Sequence, residues 1–216
     1  MIYIFIFFIK LEEKKYTVEY PVVHQVNDID LSGTYSYAHY LNWKFEDRLE
    51  LIKGKIFKMG SPSTTHQRII GRIYVALFMF LKGHRCEAFI APFDVRFPNG
   101  SLEDKAVFTV LQPDIAVICD QTKLDEKGCI GAPDIVVEVL SPGNSKKELI
   151  NKFNIYQEFG VKEYWLVSPA SRSFIKYVLN LDGVYEAGLP YVGGEFVSDV
   201  LPGFRLNVEE VFGVLK

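Results

Sequence analysis

The strongest constraint in this chain is a pair of short apolar runs, each carrying one acid: Pro113-Asp114-Ile-Ala-Val-Ile-Cys119 and Ile135-Val-Val-Glu138-Val-Leu140. Runs of this length, rich in Val and Ile and bounded by turn signals, read as buried strands. A carboxylate in so apolar a run is rarely without a partner. Asp114 stands five residues before Cys119, and Glu138 five residues after Pro133. If residues 120–132 return the chain antiparallel, these equal offsets set the two acids opposite each other, with Cβ atoms roughly 5 Å apart. Two carboxylates that close repel unless something positive lies between them. A divalent ion that prefers hard oxygen ligands, Mg²⁺ or Mn²⁺, suits that place. Asp134 is a poorer partner, because four residues along one strand separate it from Glu138 by roughly 13 Å.

A lysine supplies the third element. Ser145-Lys-Lys-Glu148 has capping-box spacing and Gly160 marks a helix stop. Between them Leu149, Ile150, Phe153, Ile155, Tyr156 and Phe159 form one broad arc at about 100° per residue. Lys152 falls inside that arc. Either its stem snorkels along the apolar surface, or its ammonium meets the carboxylates and serves an attacking water or a pentavalent phosphate. Glu50, in Leu49-Glu50-Leu51, is a further acid or else a surface strand residue. His66 lies in the first turn of a long helix, where a phosphate contact, proton transfer or plain solvation are all open.

The rest of the chain reads as one domain without repeats or low-complexity tracts. Residues 35–43 suggest a short helix, and Arg48–Ile52 with Lys55–Met59 flank Lys53-Gly54, a hairpin signal. The polar turn Ser61-Pro-Ser-Thr-Thr65 opens a helix reaching about Leu81. Strands are expected at 86–97, 112–119, 134–140, 163–167, 174–179 and 184–185, and a last short helix at 207–212. Helix, mixed strands, helix and strands again give an α/β (α+β) sandwich. Residues 1–34 read as an N-terminal extension. Its apolar start, Met1–Ile9, is far short of the about 20 residues a spanning helix needs. It also lacks a signal peptide's basic start and small-residue cleavage site, so an added strand or a misplaced start codon is expected.

Composition narrows the function. At 216 residues, 14% aromatic and net charge −3, the chain is neither disordered nor a general polyanion coat. Three cysteines, Cys86, Cys119 and Cys129, form no CxxC pair and fit a reducing cytoplasm better than a disulfide framework. His84 and Cys86 lack the second close pair that a zinc site needs. Neither GxxxxGK[ST], GxGxxG nor GxSxG occurs, so no nucleotide cofactor or serine-hydrolase elbow is indicated.

With these residues in place, the chain resembles the PD-(D/E)XK nuclease superfamily, and within it the Uma family of restriction-type endonucleases. The resemblance runs from about Tyr35 to Phe212. It rests on Arg48-Leu-Glu-Leu-Ile-Lys-Gly-Lys, His66, Gln112-Pro-Asp-Ile-Ala-Val and Ala132-Pro-Asp-Ile-Val-Val-Glu-Val-Leu-Ser-Pro. Lys152-x-x-x-Tyr156 and Gly160-Val-Lys-Glu-Tyr-Trp-Leu-Val-Ser-Pro complete it. The resemblance implies a restriction-endonuclease-like central mixed sheet flanked by helices. It also implies Mg²⁺-dependent phosphodiester cleavage, with DNA as the partner, a homodimer as the working unit, no membrane, and a cytoplasmic setting. By position, Asp114 and Glu138 match the motif's acids and metal ligands, Glu50 the upstream acid and His66 the family's histidine. The motif's lysine would fall at 140, which is Leu140; in the Uma family the lysine has moved to the next helix, where Lys152 matches.

Leu140 and the near-neutral charge also motivate a second reading, a catalytically inactive module on the same fold that binds nucleic acid or protein. An assembly role built on the apolar start is a third. Charge by segment favours the nuclease: residues 44–85 carry +6 and 141–176 carry +3, bracketing −6 over 86–140. That asymmetry suits a metal centre in a phosphate-facing groove.

Overall fold

The computed structural model describes residues 20–141 and 145–213. The hairpin forms as expected, with β1 (Leu49–Ile52) and β2 (Lys55–Lys58) joined through Lys53 and Gly54. Both turn residues have positive φ, 50° and 79°, which matches the twist of a tight hairpin. The long helix α2 (Thr64–Leu81) follows a short α1 (Tyr37–Tyr40), and Ser63 Oγ caps it by accepting from His66 N. Helix α3 (Lys146–Phe159) begins on Ser145, whose Oγ accepts from Glu148 N, and ends on Gly160 at φ 83°. A final α4 (Val208–Phe212) is capped by Asn207.

Between these helices the described residues form β3 (Glu87–Ile90), β4 (Val95–Arg96), β5 (Val110–Leu111), β6 (Ile115–Ile118), β7 (Leu124–Asp125) and β8 (Gly128–Ile130). They continue with β9 (Ile135–Val139), β10 (Glu163–Ser168), β11 (Ser173–Leu179), β12 (Tyr185–Ala187), β13 (Glu195–Val197) and β14 (Arg205–Asn207). The main sheet has the order β12-β11-β10-β9-β6-β3. It is mixed, because β9 and β10 run parallel while β6 and β9 run antiparallel.

Side-chain alternation along the central strands divides the core in two. Ile135, Val137 and Val139 of β9 join Ile115 and Val117 of β6 against Ile69, Ile70, Ile73 and Leu77 of α2. Val136, with Ala116 and Ile118, faces the other way, toward Ile155 and Tyr156 of α3. Glu138 has the parity of Val136 and therefore belongs to the α3 side. This is the expected central mixed sheet flanked by helices.

A second sheet, in the order β2-β1-β5-β4-β8-β7, packs on the α3 side and was not foreseen. Several of its strands are two residues long, too short to leave a hydrophobic period. The expected strand over 86–97 is in fact two strands, one in each sheet. The hairpin β13–β14 was also missed.

The cysteine reading needs correction. Cys86 and Cys119 form a disulfide, and Cys129 is free and buried. The cause is register: Glu87 pairs with Ile118 in β3–β6, so the next residues outward face each other. The support that unpaired cysteines gave to a reducing compartment is thereby removed. The expected strand at Met1–Ile9 lies outside the described residues. Among the described residues, no helix is long and apolar enough to cross a membrane.

One glycine is sterically required. Gly128 has φ 122°, and a Cβ there would lie 2.3 Å from Asp94 O. Cys129 N also donates to that carbonyl, so β8 and Asp94 cannot separate freely. Gly128→Ala is expected to cost at least about 2 kcal/mol of stability, read as a lower urea midpoint.

Candidate active site

The β6–β9 register places the acids together. Ile115 pairs with Val137, Ala116 with Val136 and Val117 with Ile135. The next step outward sets Asp114 against Glu138, on the sheet face that α3 covers. Lys152, in the middle of α3, is 3% exposed. Its Nζ lies 3.0 Å from Glu138 Oε1 and 3.0 Å from Glu50 Oε1. The lysine on the apolar arc therefore meets carboxylates rather than snorkelling. Glu50, delivered by β1 of the second sheet, is 1% exposed, which settles it as a buried residue.

Each carboxylate is held at one oxygen. Asp114 Oδ2 accepts from Val139 N at 2.7 Å and lies 3.2 Å from His66 Nε2. Glu138 Oε1 accepts from Lys152 Nζ and, at 2.6 Å, from Tyr156 OH. Among the described residues nothing bonds to Asp114 Oδ1 or Glu138 Oε2. Both residues line a cleft of about 70 Å³, together with His66, Lys152 and Arg48. A polymer cannot enter so small a cleft and must lie across its mouth.

His66 is placed differently from a solvated first-turn histidine. It is 8% exposed. Its Nε2 lies 2.9 Å from Val139 O, and its Nδ1 is buried without a partner. The ring thus spans Val139 and Asp114 and fixes the aspartate. Asp134, the rejected partner, is occupied elsewhere: Oδ2 accepts from Cys119 N and Oδ1 pairs with Lys162.

Three residues of the site stand in the motifs of the resemblance but were given no role by the sequence. Tyr156 sits one helical turn after Lys152, and this i, i+4 pair was the available signal. Gln112 is a hub: its N donates to Glu50 Oε1, and its Nε2 donates to Tyr40 OH and Asp94 Oδ1. Its Oε1 accepts from Arg48 Nε and Nη2 at 3.2 and 3.0 Å. These contacts hold the Arg48 guanidinium at the cleft. No local pattern reveals a contact across 64 positions.

Electrostatics follow from the count of charges. Glu50 and Glu138 share the single Lys152 ammonium, while Asp114 relies on His66 and the Val139 N–H. Burial, only partly offset by Lys152, raises Glu138 to about 7, with Asp114 and Glu50 adding to the rise. Burial alone would lower Lys152, but Glu138 and Glu50 prevail and its pKa is raised. Burial lowers His66, but Asp114, the Val139 carbonyl and Glu138 together outweigh it, and its pKa is raised. Among the described residues, no group of three or more His, Cys, Asp or Glu side chains is arranged to hold a metal ion.

The fold is shared with a solved structure. The crystal structure of "a putative nuclease belonging to DUF820" from Anabaena variabilis superposes with a TM-score of 0.64 at 21% identity, covering 82% of this chain and 97% of that one. The sequence also matches the family Uma2, described as "Putative restriction endonuclease", over residues 37–209. The chain belongs to that family. A relative from Synechocystis, "Uncharacterized protein slr1290", is 31% identical over 176 residues, covering 75% of this chain and 88% of its own length.

The raised Glu138 and His66 set the sign of a pH effect. Both groups hold protons more tightly folded than unfolded, so stability falls as pH rises through their folded values. Metal-free protein is therefore expected to lose stability between about pH 5 and pH 8, by on the order of 3 kcal/mol for a shift like that of Glu138. Glu138→Gln should flatten that slope in urea titrations across the same range.

Proposed function

We propose that this chain is a divalent-metal-dependent endonuclease that hydrolyses phosphodiester bonds of DNA. The observation that carries the reading is the set of carboxylates at the cleft: Glu50 and Glu138 share one ammonium, and Asp114 and Glu138 each keep one oxygen with no partner among the described residues. The family description supports DNA as the polymer. Mg²⁺ or Mn²⁺ held by Asp114 and Glu138 would supply Lewis acidity to the phosphate and lower the pKa of a water.

The chain's own residues do the rest. Lys152 has three N–H donors, and Glu50 and Glu138 take two of them. The third is left for the attacking water or a phosphate oxygen at the cleft. Arg48 keeps Nη1 for a non-bridging oxygen of the same phosphate, and Gln112 positions it. Tyr156 and His66 are positioning residues, fixing Glu138 and Asp114. Each chain carries one such cleft among its described residues. Cutting both strands of a duplex in one encounter takes two copies, so the proposed working unit is a homodimer. The inactive-module reading rested on Leu140 and on the near-neutral charge; the placement of Lys152 at Glu138 favours the enzyme.

Isothermal titration of Mn²⁺ into wild type should give a binding heat that Asp114→Ala and Glu138→Ala abolish. Unchanged Mn²⁺ binding in both variants would remove the metal site, and wild type cutting neither DNA nor RNA with Mg²⁺ or Mn²⁺ would sink the enzyme. In single-turnover cleavage, Lys152→Met should be slower by roughly 10²–10⁴-fold. Arg48→Ala should be slower by about 10-fold or more, with Arg48→Lys in between.

A further inference from the structure

The cleft itself is acidic and does not attract a polyanion, so affinity for one has to come from cations beside it. The first turns of α2 separate the cleft from a second concavity. His66, Gln67 and Ile70 face the cleft, while Thr65, Arg68 and Arg72 line a groove of about 200 Å³ on the other side. Arg172, from the turn between β10 and β11, and Phe212 of α4 close it. No Asp or Glu lines this groove.

Its three arginines are not equivalent. Arg72 is committed to the fold, because its Nη1 donates to Val211 O and Gly213 O at 2.7 and 2.5 Å. Arg68 and Arg172 are exposed, and among the described residues neither pairs with a carboxylate. Arg172 is nonetheless positioned: it has φ 49°, in the left-handed region, and its guanidinium stands 5.7 Å from the centre of the Phe212 ring. Such stacking orients the fork and leaves its edge N–H groups free.

Topology puts this groove beside the chemistry. Strands β9 and β10 are parallel, with Val139 opposite Val167. The turn bearing Arg172 therefore leaves the sheet at the same end as Glu138. Helix α2 also starts there, since His66 touches Val139 O. The distance across one helix is about 10 Å, so the groove is within reach of phosphates that flank the one at the cleft.

We propose that the groove binds the phosphodiester backbone of the DNA strand beside the scissile bond, with Arg68 and Arg172 as the phosphate ligands. This rests on the nuclease reading of the cleft. Guanidinium forks match phosphate oxygens bidentately, and two exposed ones without carboxylate partners pay no exchange cost.

The test compares the full chain with Arg68→Ala/Arg172→Ala and Arg68→Lys/Arg172→Lys, by fluorescence anisotropy on a DNA duplex and a matched RNA. Ca²⁺ replaces Mg²⁺, and salt runs from roughly 50 to 200 mM. The alanine pair should lower the slope of log K against log[salt] by about 1.8 on DNA, at about 0.9 per phosphate contact. The lysine pair should restore it, which a loss of packing on Phe212 would not. With Mg²⁺, the loss should fall on KM more than on kcat. Equal slopes for wild type and the alanine pair on DNA overturn the groove and leave the nuclease standing. A loss confined to RNA overturns the DNA assignment. A wild type that binds no nucleic acid overturns both readings.

Discussion

The Lys152 ammonium, shared between Glu50 and Glu138 at the edge of the cleft, is the interaction on which the rest of the structure depends. Its three participants come from α3, from the main sheet and from the second sheet, so one charge ties those layers together. Buried ion pairs are poor stabilisers: a well-packed apolar set of similar volume is often as stable. Removing one member alone is far worse, costing about 3–5 kcal/mol, because the others are left as bare buried charge. The arrangement is thus costly to break and inefficient as glue, a combination that points to chemistry as its reason.

The network beyond the triad explains how a small cleft is kept rigid. Tyr37 OH donates to Asp94 Oδ2, and Asp94 Oδ1 accepts from Gln112 Nε2. Gln112 then holds Glu50 through its amide and Arg48 through its oxygen. On the other side, His66 and Val139 N hold Asp114. Asp114 and Glu138 each have one oxygen fixed, and both residues line the cleft. Preorganisation of this kind is what an electrostatic site requires, because its donors then need no rearrangement as charge develops.

Much of this was legible in particular residues. Equal offsets around Cys119 and Pro133 foretold the β6–β9 register, because antiparallel pairing keeps the sum of partner numbers constant and nothing bulges between them. The wheel position of Lys152 foretold its burial, because a helix of fourteen residues has one dominant face. What was missed has an equally plain cause. The Cys86–Cys119 bond depends on which strand β3 chooses, and neither segment states that choice. The two-residue strands of the second sheet carry no period. Arg48 and Gln112 meet only after two hairpins and a helix have folded between them.

The sequence by itself determined the local geometry: period-2 alternation that put Asp114 and Glu138 on one face, the caps of α2 and α3, and the apolar arc that carries Lys152 inward. These are set by backbone sterics and side-chain burial over a few residues. Only the tertiary structure decided that Glu50 would cross from a second sheet to share the lysine, that His66 would brace Asp114 rather than face solvent, and that Arg68 and Arg172 would stand beside the cleft. Those outcomes depend on how separate elements dock, and docking is fixed by the packing of the whole core rather than by any segment within it.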